Sequence, residues 1–181
     1  MYILGISGSP RKGNTEWMVA RLLKLLAEDG HQTEIVLLRK LTIKNCNGCL
    51  ACDVGGKDRK GVCKIRDDMQ DIYPKLLEAD LIILGTPVYF DMLSGMLKNF
   101  MDRTCAIWPK LEGKKLAGIA VAEEGIGKAV DNLKTYANIC SMEWAGQVTA
   151  LAKLPRAVAG DPDVDKAVRK LANKFGRASK D

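Results

Sequence analysis

Continuous apolar runs bounded by turn residues recur along the chain at Tyr2 to Ile6, Glu34 to Leu38, Leu81 to Leu84, Leu116 to Ala122 and Gln147 to Leu151. A strand buried on both faces reads as such a run, whereas a strand with one wet face alternates apolar and polar residues. Between the runs, apolar residues return at the helical period. Trp17, Leu22, Leu25 and Leu26 do so within Thr15 to Ala27, and Met69, Ile72, Leu76 and Leu77 within Asp68 to Glu78. Ser94 to Thr104, Gly127 to Ile139 and a terminal helix after Asp163 obey the same rule. This alternation predicts an α/β fold, a doubly wound five-stranded parallel sheet with right-handed crossovers and helices on both faces. Ligands of such a sheet bind beyond the carboxyl ends of its strands, where the strand order reverses. The chemistry is therefore expected in the loops after strands one, three and four.

The length of 181 residues suits one domain spanning 1–181. No uncharged apolar run approaches the roughly 18 residues of a spanning helix, so no membrane role is expected. The opening "MYILGIS" lacks a basic n-region and a cleavage site and reads as a first core strand, from which a cytoplasmic location is expected. A net charge of +6 raises the question of nucleic acid. The densest basic stretch, Lys166 to Lys180, carries Ala167, Val168, Leu171 and Phe175 at helical spacing, which describes an amphipathic helix with a solvated basic face. No nucleic-acid partner is expected, although positive charge favours anionic cofactors.

The loop after the first strand, "SGSPRKGNT", joins glycines that permit close backbone approach to short polar side chains where a helix begins. Helix N-terminal amides, helped by hydroxyls and by Arg11, suit a phosphate dianion; a plain turn with Asn14 or Thr15 as helix cap is the alternative. Neither GxGxxG nor GxxxxGK[ST] is present, which disfavours a dinucleotide fingerprint and a P-loop ATPase. After the third strand, "GTPVYFDMLSGMLKNFMDR" offers an extended backbone and the aromatic pair Tyr89 and Phe90, able to lie along a flat heteroaromatic ring or simply to enter the core. Ser94 is expected to cap the following helix, with Asp102 and Arg103 paired at its end. "AEEGIGKAV" puts Gly125 and Gly127 at the fourth strand-to-helix transition. His31, the one histidine, falls in a turn and is expected at the surface, and no Ser/His/Asp or Cys/His machinery is visible. Asp67 and Asp68 read as N-cap and first-turn acids.

Six cysteines in a reducing compartment point to a metal or redox site more than to disulfides. "CNGCLACDVGGKDRKGVC", within a cysteine-rich loop 44–64, sets Cys46, Cys49 and Cys52 at CxxCxxC spacing before Cys63. Such spacing can wrap one corner of a [4Fe-4S] cluster while the remote thiolate closes it. A tetrahedral zinc site and four reduced thiols without metal are the competing readings. Cys105 and Cys140, isolated in apolar helical contexts, read as core residues.

Together "GSPRKGNT", "DDM" followed by "ADLIILGTPVYF", and "SGMLKNFMDR" resemble the NADPH-dependent FMN reductase family of flavodoxin-like proteins, and with the cysteine block its iron-sulfur flavoprotein branch. The resemblance runs from Met1 to about Ile139. It implies the flavodoxin strand order 2-1-3-4-5 and an FMN whose phosphate is held by Ser7, Ser9, Arg11, Asn14 and Thr15. It implies further that the isoalloxazine rests on Pro87, Val88, Tyr89 and Phe90, with Ser94 nearby and Glu123 to Gly127, including Gly125, at its remaining edge. Cys46, Cys49, Cys52 and Cys63 would hold the [4Fe-4S] cluster. Electrons would come from NAD(P)H, by hydride transfer to the flavin N5 without a catalytic side chain, or from a ferredoxin-like carrier, in a homodimer or homotetramer. Three readings stay open: an iron-sulfur flavoprotein relaying electrons through FMN, an NAD(P)H-dependent FMN or quinone reductase with structural cysteines, and a non-enzymatic electron carrier or redox sensor.

Overall fold

A computed structural model describes residues 1–52 and 61–177. Parallel strands β1 (Tyr2–Ser7), β2 (Gln32–Leu37), β3 (Leu81–Tyr89), β5 (Lys115–Ala122) and β6 (Glu143–Leu151) form a sheet of order β2-β1-β3-β5-β6, and a two-residue strand β4 (Met92–Leu93) pairs antiparallel with the end of β3. The β4 hairpin aside, this is the flavodoxin order expected from the sequence. Helices α1 (Asn14–Glu28), α2 (Met69–Glu78), α3 (Gly95–Arg103), α4 (Ala129–Ile139) and α5 (Pro162–Ala172) cover the two faces.

Successive strand residues point to opposite faces, and the core divides accordingly. Leu4, Ile6, Ile82, Leu84 and Leu116 pack with Ile72, Phe100 and Leu133 of α2, α3 and α4. Ile3, Leu81, Ile83, Ile119 and Val148 pack with Leu22 of α1 and with Val168 of α5. Burial on both faces explains the continuous apolar runs.

Two strands run well beyond their apolar runs. β3 continues past Leu84 through Thr86 and Pro87, expected to end the strand and lead into extended backbone, with the Gly85 carbonyl accepting Gly8 N–H at 2.8 Å on the β1 side. Pro87, two residues on, faces that same side beyond the end of β1, so its missing N–H leaves no ladder bond unmade. β6 begins at Glu143, four residues before the run Gln147 to Leu151, since the register slips between Leu116 and Ala117 at a bulge in which Gly146 takes φ +131.

His31 is buried, contrary to the surface position expected of it: its Nε2 lies 3.0 Å from the Gly176 carbonyl, where the segment after α5 folds back over the turn before β2. Cys140 is buried as expected, but Cys105 is exposed, in a short 3-10 turn (Thr104–Ala106) that continues α3 past its buried face. The Asp53 to Lys60 part of the cysteine loop and residues 178–180 of the expected basic helix lie outside the described residues.

Candidate functional site

Every parallel strand delivers its carboxyl end to one edge of the sheet, and the loops there converge. Between β1 and α1, Gly13 stands at the N-cap and supplies no side-chain oxygen, so no side chain caps the first-turn amides of α1. Asn14 is not the cap: its Nδ2 donates to the Leu154 carbonyl at 2.9 Å and its Oδ1 accepts from Val158 N–H at 3.4 Å. Ser9 Oγ closes a small turn, donating to the Arg11 carbonyl at 2.8 Å, while Arg11 stays exposed. Ser7 Oγ is buried with no hydrogen-bond partner. A buried hydroxyl without a partner costs about 1–3 kcal/mol. Uncapped amides and an unpaired hydroxyl at one loop are what an oxyanion satisfies.

Eight of the twelve expected cofactor residues line one pocket: Ser9, Arg11, Asn14, Thr15, Pro87, Val88, Tyr89 and Glu123. The other four stand elsewhere. Ser94 is buried behind the pocket, where it accepts Leu97 N–H at 3.1 Å as the α3 cap and donates to the Gly8 carbonyl at 2.7 Å, tying the first loop to the third. Ser7 lies beneath the loop, Phe90 projects fully into solvent from a turn where both it and Asp91 have positive φ, and Gly125 faces open space. Beyond the expected set, Val121 and Ala122 of β5, and Ala152 and Lys153 after β6, complete the wall, with Lys153 Nζ 3.5 Å from Glu123 Oε1. The fifth strand also ends at the ligand-binding edge; that was the available signal for Ala152 and Lys153.

The cysteine loop leaves and re-enters the fold through a buried clamp. Arg103, expected to pair with Asp102, instead pairs with Asp67 across Nη1–Oδ2 2.5 Å, both side chains 1% exposed, while Asp102 binds Lys98. Arg103 also donates to the Lys44 carbonyl at 2.7 Å and the Ile65 carbonyl at 3.4 Å, one on each arm of the loop. Asp67 accepts from Lys44 N–H, Asp68 from Thr42 N–H at 2.7 Å, and Asn99 donates to the Ile43 carbonyl at 2.8 Å. Asp68 does stand at the N-cap of α2, but with its carboxylate turned to Thr42, whereas Asp67 accepts from Met69 N–H in the first turn. Burial works to raise the Asp67 pKa, but the Arg103 guanidinium and two backbone donors hold it below the usual carboxylate value. For Arg103, burial opposes the charge and the bonds to Asp67 outweigh it, so its pKa rises.

Within the loop, Cys46 and Cys49 are exposed, and Asn47 Oδ1 accepts Cys49 N–H at 3.2 Å to turn the chain between them. Cys52 and Cys63 are half-buried against the α2–α3 side of the core. Burial pushes the Cys52 thiol up. The donor set, four thiols on a loop held at both ends, fits an iron-sulfur cluster in chemistry. Among the described residues, however, no three His, Cys, Asp or Glu side chains gather closely enough to hold a metal ion.

The sequence profile of NADPH-dependent FMN reductases matches residues 1–154. The chain is 42% identical over 123 residues to an iron-sulfur flavoprotein of Methanocaldococcus jannaschii, a match covering 67% of this chain and 61% of that one. An iron-sulfur flavoprotein of Archaeoglobus fulgidus is 34% identical over 185 residues, 98% of this chain and 80% of the relative. Another from the same organism is matched over 49% of its length, so the chain spans only about half to four-fifths of these relatives. In backbone, an archaeal flavodoxin superposes with a TM-score of 0.62 at 15% identity, covering 96% of each chain.

Proposed function

The chain belongs to the NADPH-dependent FMN reductase family, with iron-sulfur flavoproteins among its relatives, and from that premise we propose that it is an FMN-dependent oxidoreductase passing electrons between NAD(P)H or a one-electron carrier and an acceptor. The observation that carries this reading is the buried, unpartnered Ser7 Oγ at the end of β1 together with the α1 N-terminus that no side chain caps, the two ends of the loop that lines the pocket. The FMN phosphate fits there: Ser7 would donate a hydroxyl bond, the first-turn amides of α1 would donate along the helix dipole, and Arg11 would add charge from the rim, while the Ser9 hydroxyl, given to the Arg11 carbonyl, would hold the turn of the loop. Pro87, Val88 and Tyr89 would hold the ring along the continuing edge of β3, a surface that lacks one N–H at Pro87 and so leaves the ring free of competing donors there. FMN supplies hydride and single-electron chemistry when bound. The chain orients it and keeps water from one face.

Cys46, Cys49, Cys52 and Cys63 are assigned in this proposal to one [4Fe-4S] cluster, on the strength of their spacing, the clamp at the loop's base and the names of the relatives. A second reading, an NAD(P)H-dependent FMN or quinone reductase with structural cysteines, is favoured by the thiols standing apart among the described residues. Self-association is supported by Met92 and Ile139, large apolar side chains left exposed at the groove between α3 and α4, and by Tyr89 and Phe90, exposed at the end of β3 and the turn that follows. No helix among the described residues is long and apolar enough to cross a membrane.

The test is anaerobic. FMN and riboflavin titrations are expected to show a clear preference for FMN, and equal affinities would overturn the phosphate assignment. Iron and sulfide analysis then separates the two readings: about four irons per chain supports the cluster, fewer than about two supports the plain reductase. Stopped-flow reduction of the bound flavin by NADH, NADPH and reduced ferredoxin identifies the donor.

A further inference from the structure

A guanidinium carries five N–H donors, and the clamp at the base of the cysteine loop uses four of those on Arg103. Its end fork meets the Asp67 carboxylate, Nη1 at 2.5 Å and Nη2 at 3.1 Å. The same two nitrogens also donate outward, Nη1 to the Lys44 carbonyl at 2.7 Å and Nη2 to the Ile65 carbonyl at 3.4 Å. The fifth donor, Nε–H, is buried and has no acceptor among the described residues, on a side chain that is 1% exposed. A buried donor on a charged group without an acceptor is costly, and it calls for an explanation. In the planar group Nε–H lies on the same edge as Nη2, the edge turned to the returning arm of the loop at Ile65.

That arm carries Cys63, two residues before Ile65. Two residues before Cys63, Gly61 sits against the turn that ends α3, so that a Cβ placed on it would stand 3.1 Å from the Ala106 carbonyl. Cys63 is thus bracketed between two contacts with the single stretch 103–106, and lies at most about 7 Å of chain from either. It is half-buried against the core cluster that contains Ala106 and Tyr73, and Tyr73 Oη donates to the Arg103 carbonyl at 2.9 Å. The oxygen acceptors of this corner are already engaged. Asp67 takes the Lys44 and Met69 amides besides Arg103, and the Ile65 carbonyl also takes Gln70 Nε2 at 3.0 Å.

We propose that Arg103 Nε–H is the hydrogen-bond donor to the Cys63 sulfur when that cysteine ligates the iron-sulfur cluster, which makes Arg103 a positioning residue for the remote fourth ligand. The inference rests on the cluster assignment proposed above. A thiol is a weak acceptor, whereas a ligating thiolate carries the charge that a guanidinium N–H meets best. The bond fixes where Cys63 stands and draws charge from its sulfur, which raises the potential of the centre. The fourth ligand is then placed by the end of α3, and the long spacing between Cys52 and Cys63 does not have to place it.

The experiment uses the full chain loaded anaerobically with iron and sulfide, and both are counted first. A wild-type chain holding fewer than about two irons refutes the cluster, and this bond falls with it. In a loaded chain the bond can fail while the cluster stands. Wild-type protein carrying 15N-labelled arginine is reduced and examined by pulsed electron paramagnetic resonance, where one weakly coupled arginine nitrogen is expected. Arg103→Lys keeps a cation for Asp67 and has no guanidinium edge. It is expected to assemble the cluster, to lose the coupling, to show a lower midpoint potential than wild type, and to release iron to a chelator about tenfold faster. A wild-type cluster that couples to no arginine nitrogen would overturn the proposal. So would a coupling that persists in Arg103→Lys, or a Lys variant equal to wild type in potential and release rate, since a purely structural clamp leaves both unmoved once the cluster is in place. The coupling is read on the wild-type chain, so it decides the matter even where the Lys variant does not fold.

Discussion

Replacing Arg103 with Met keeps roughly the side chain's bulk and removes its charge from a site where it is 1% exposed. What is left is the Asp67 carboxylate, equally buried, with only the Lys44 and Met69 amides as donors, together with the Lys44 carbonyl, which loses the Arg103 bond, while the Ile65 carbonyl keeps Gln70 Nε2 at 3.0 Å. Breaking a buried ion pair from one side costs about 3–5 kcal/mol, because the remaining charge is neither solvated nor neutralised. That is a large share of the roughly 5–15 kcal/mol that stabilises a domain of this kind. Asp67→Asn strands Arg103 and should cost a similar amount. The double variant strands neither charge, so its loss should fall short of the sum of the two by at least about 2 kcal/mol. Urea unfolding of the three variants measures this directly. The pH dependence has a definite sign. Asp67 titrates below its usual value in the fold, so the pair's contribution is fully present above about pH 4, the ordinary carboxylate range, and is lost as pH falls through the lower folded value. The wild-type chain should therefore lose stability more steeply than Arg103→Met on acidification below that point. Faster proteolytic cutting between residues 42 and 66 in Arg103→Met would locate the damage at the loop. A single-variant loss below about 1 kcal/mol, or strictly additive losses, would refute the clamp.

Ser7→Ala should weaken FMN by about 1–3 kcal/mol in a fluorescence titration and leave riboflavin unchanged, and equal losses for the two ligands would remove Ser7 from the phosphate site. At Gly127, φ is +51 and an added Cβ would stand 2.4 Å from the Asp91 Cβ and 2.5 Å from the Asp91 carbonyl oxygen. Gly127→Ala is accordingly expected to lower the thermal midpoint by several degrees and to change the protease sensitivity of the Tyr89–Asp91 turn, whereas an unchanged midpoint would mean the contact is freely relieved. Asp165 is pulled down to about 2 by hydrogen bonds from Arg21 on α1 and Arg169 on α5. Its stabilising effect is present above about pH 4 and disappears towards pH 2, so Asp165→Asn should flatten the acid limb of the stability profile and leave the neutral limb only slightly lower.

The strand and helix pattern was legible because it is written locally. Each parallel strand is buried on both faces and has to be apolar throughout, and each helix returns apolar residues at its own period. The misreadings occur where a neighbour in space changes the rule. Pro87 extends β3 because β1 has already ended beside it, a fact of register that the residues around Pro87 do not contain. Gly146 hides the start of β6 because a bulge interrupts the run there. His31 is buried by a segment that lies 145 residues further along the chain.

The same division runs through the candidate site, and it separates the pocket from its supports. Residues that would touch a ligand lie in short loops at strand ends, where the topology rule places them, and eight of them line one pocket. Residues that hold those loops in place act over long separations: Arg103 reaches Asp67 over 36 residues, Ser94 reaches Gly8 over 86, and Asn14 reaches Leu154 over 140. By composition Asn14 reads as a phosphate donor or a helix cap, yet its amide is spent on the segment after β6, the segment that also brings Lys153 to Glu123. A polar side chain in a binding loop is free to meet a ligand only if no distant backbone group claims it first. Among the short polar residues of this loop, the one with a buried and unclaimed oxygen is Ser7. That unclaimed oxygen, and not the count of polar residues in the loop, is why the phosphate assignment is anchored at Ser7.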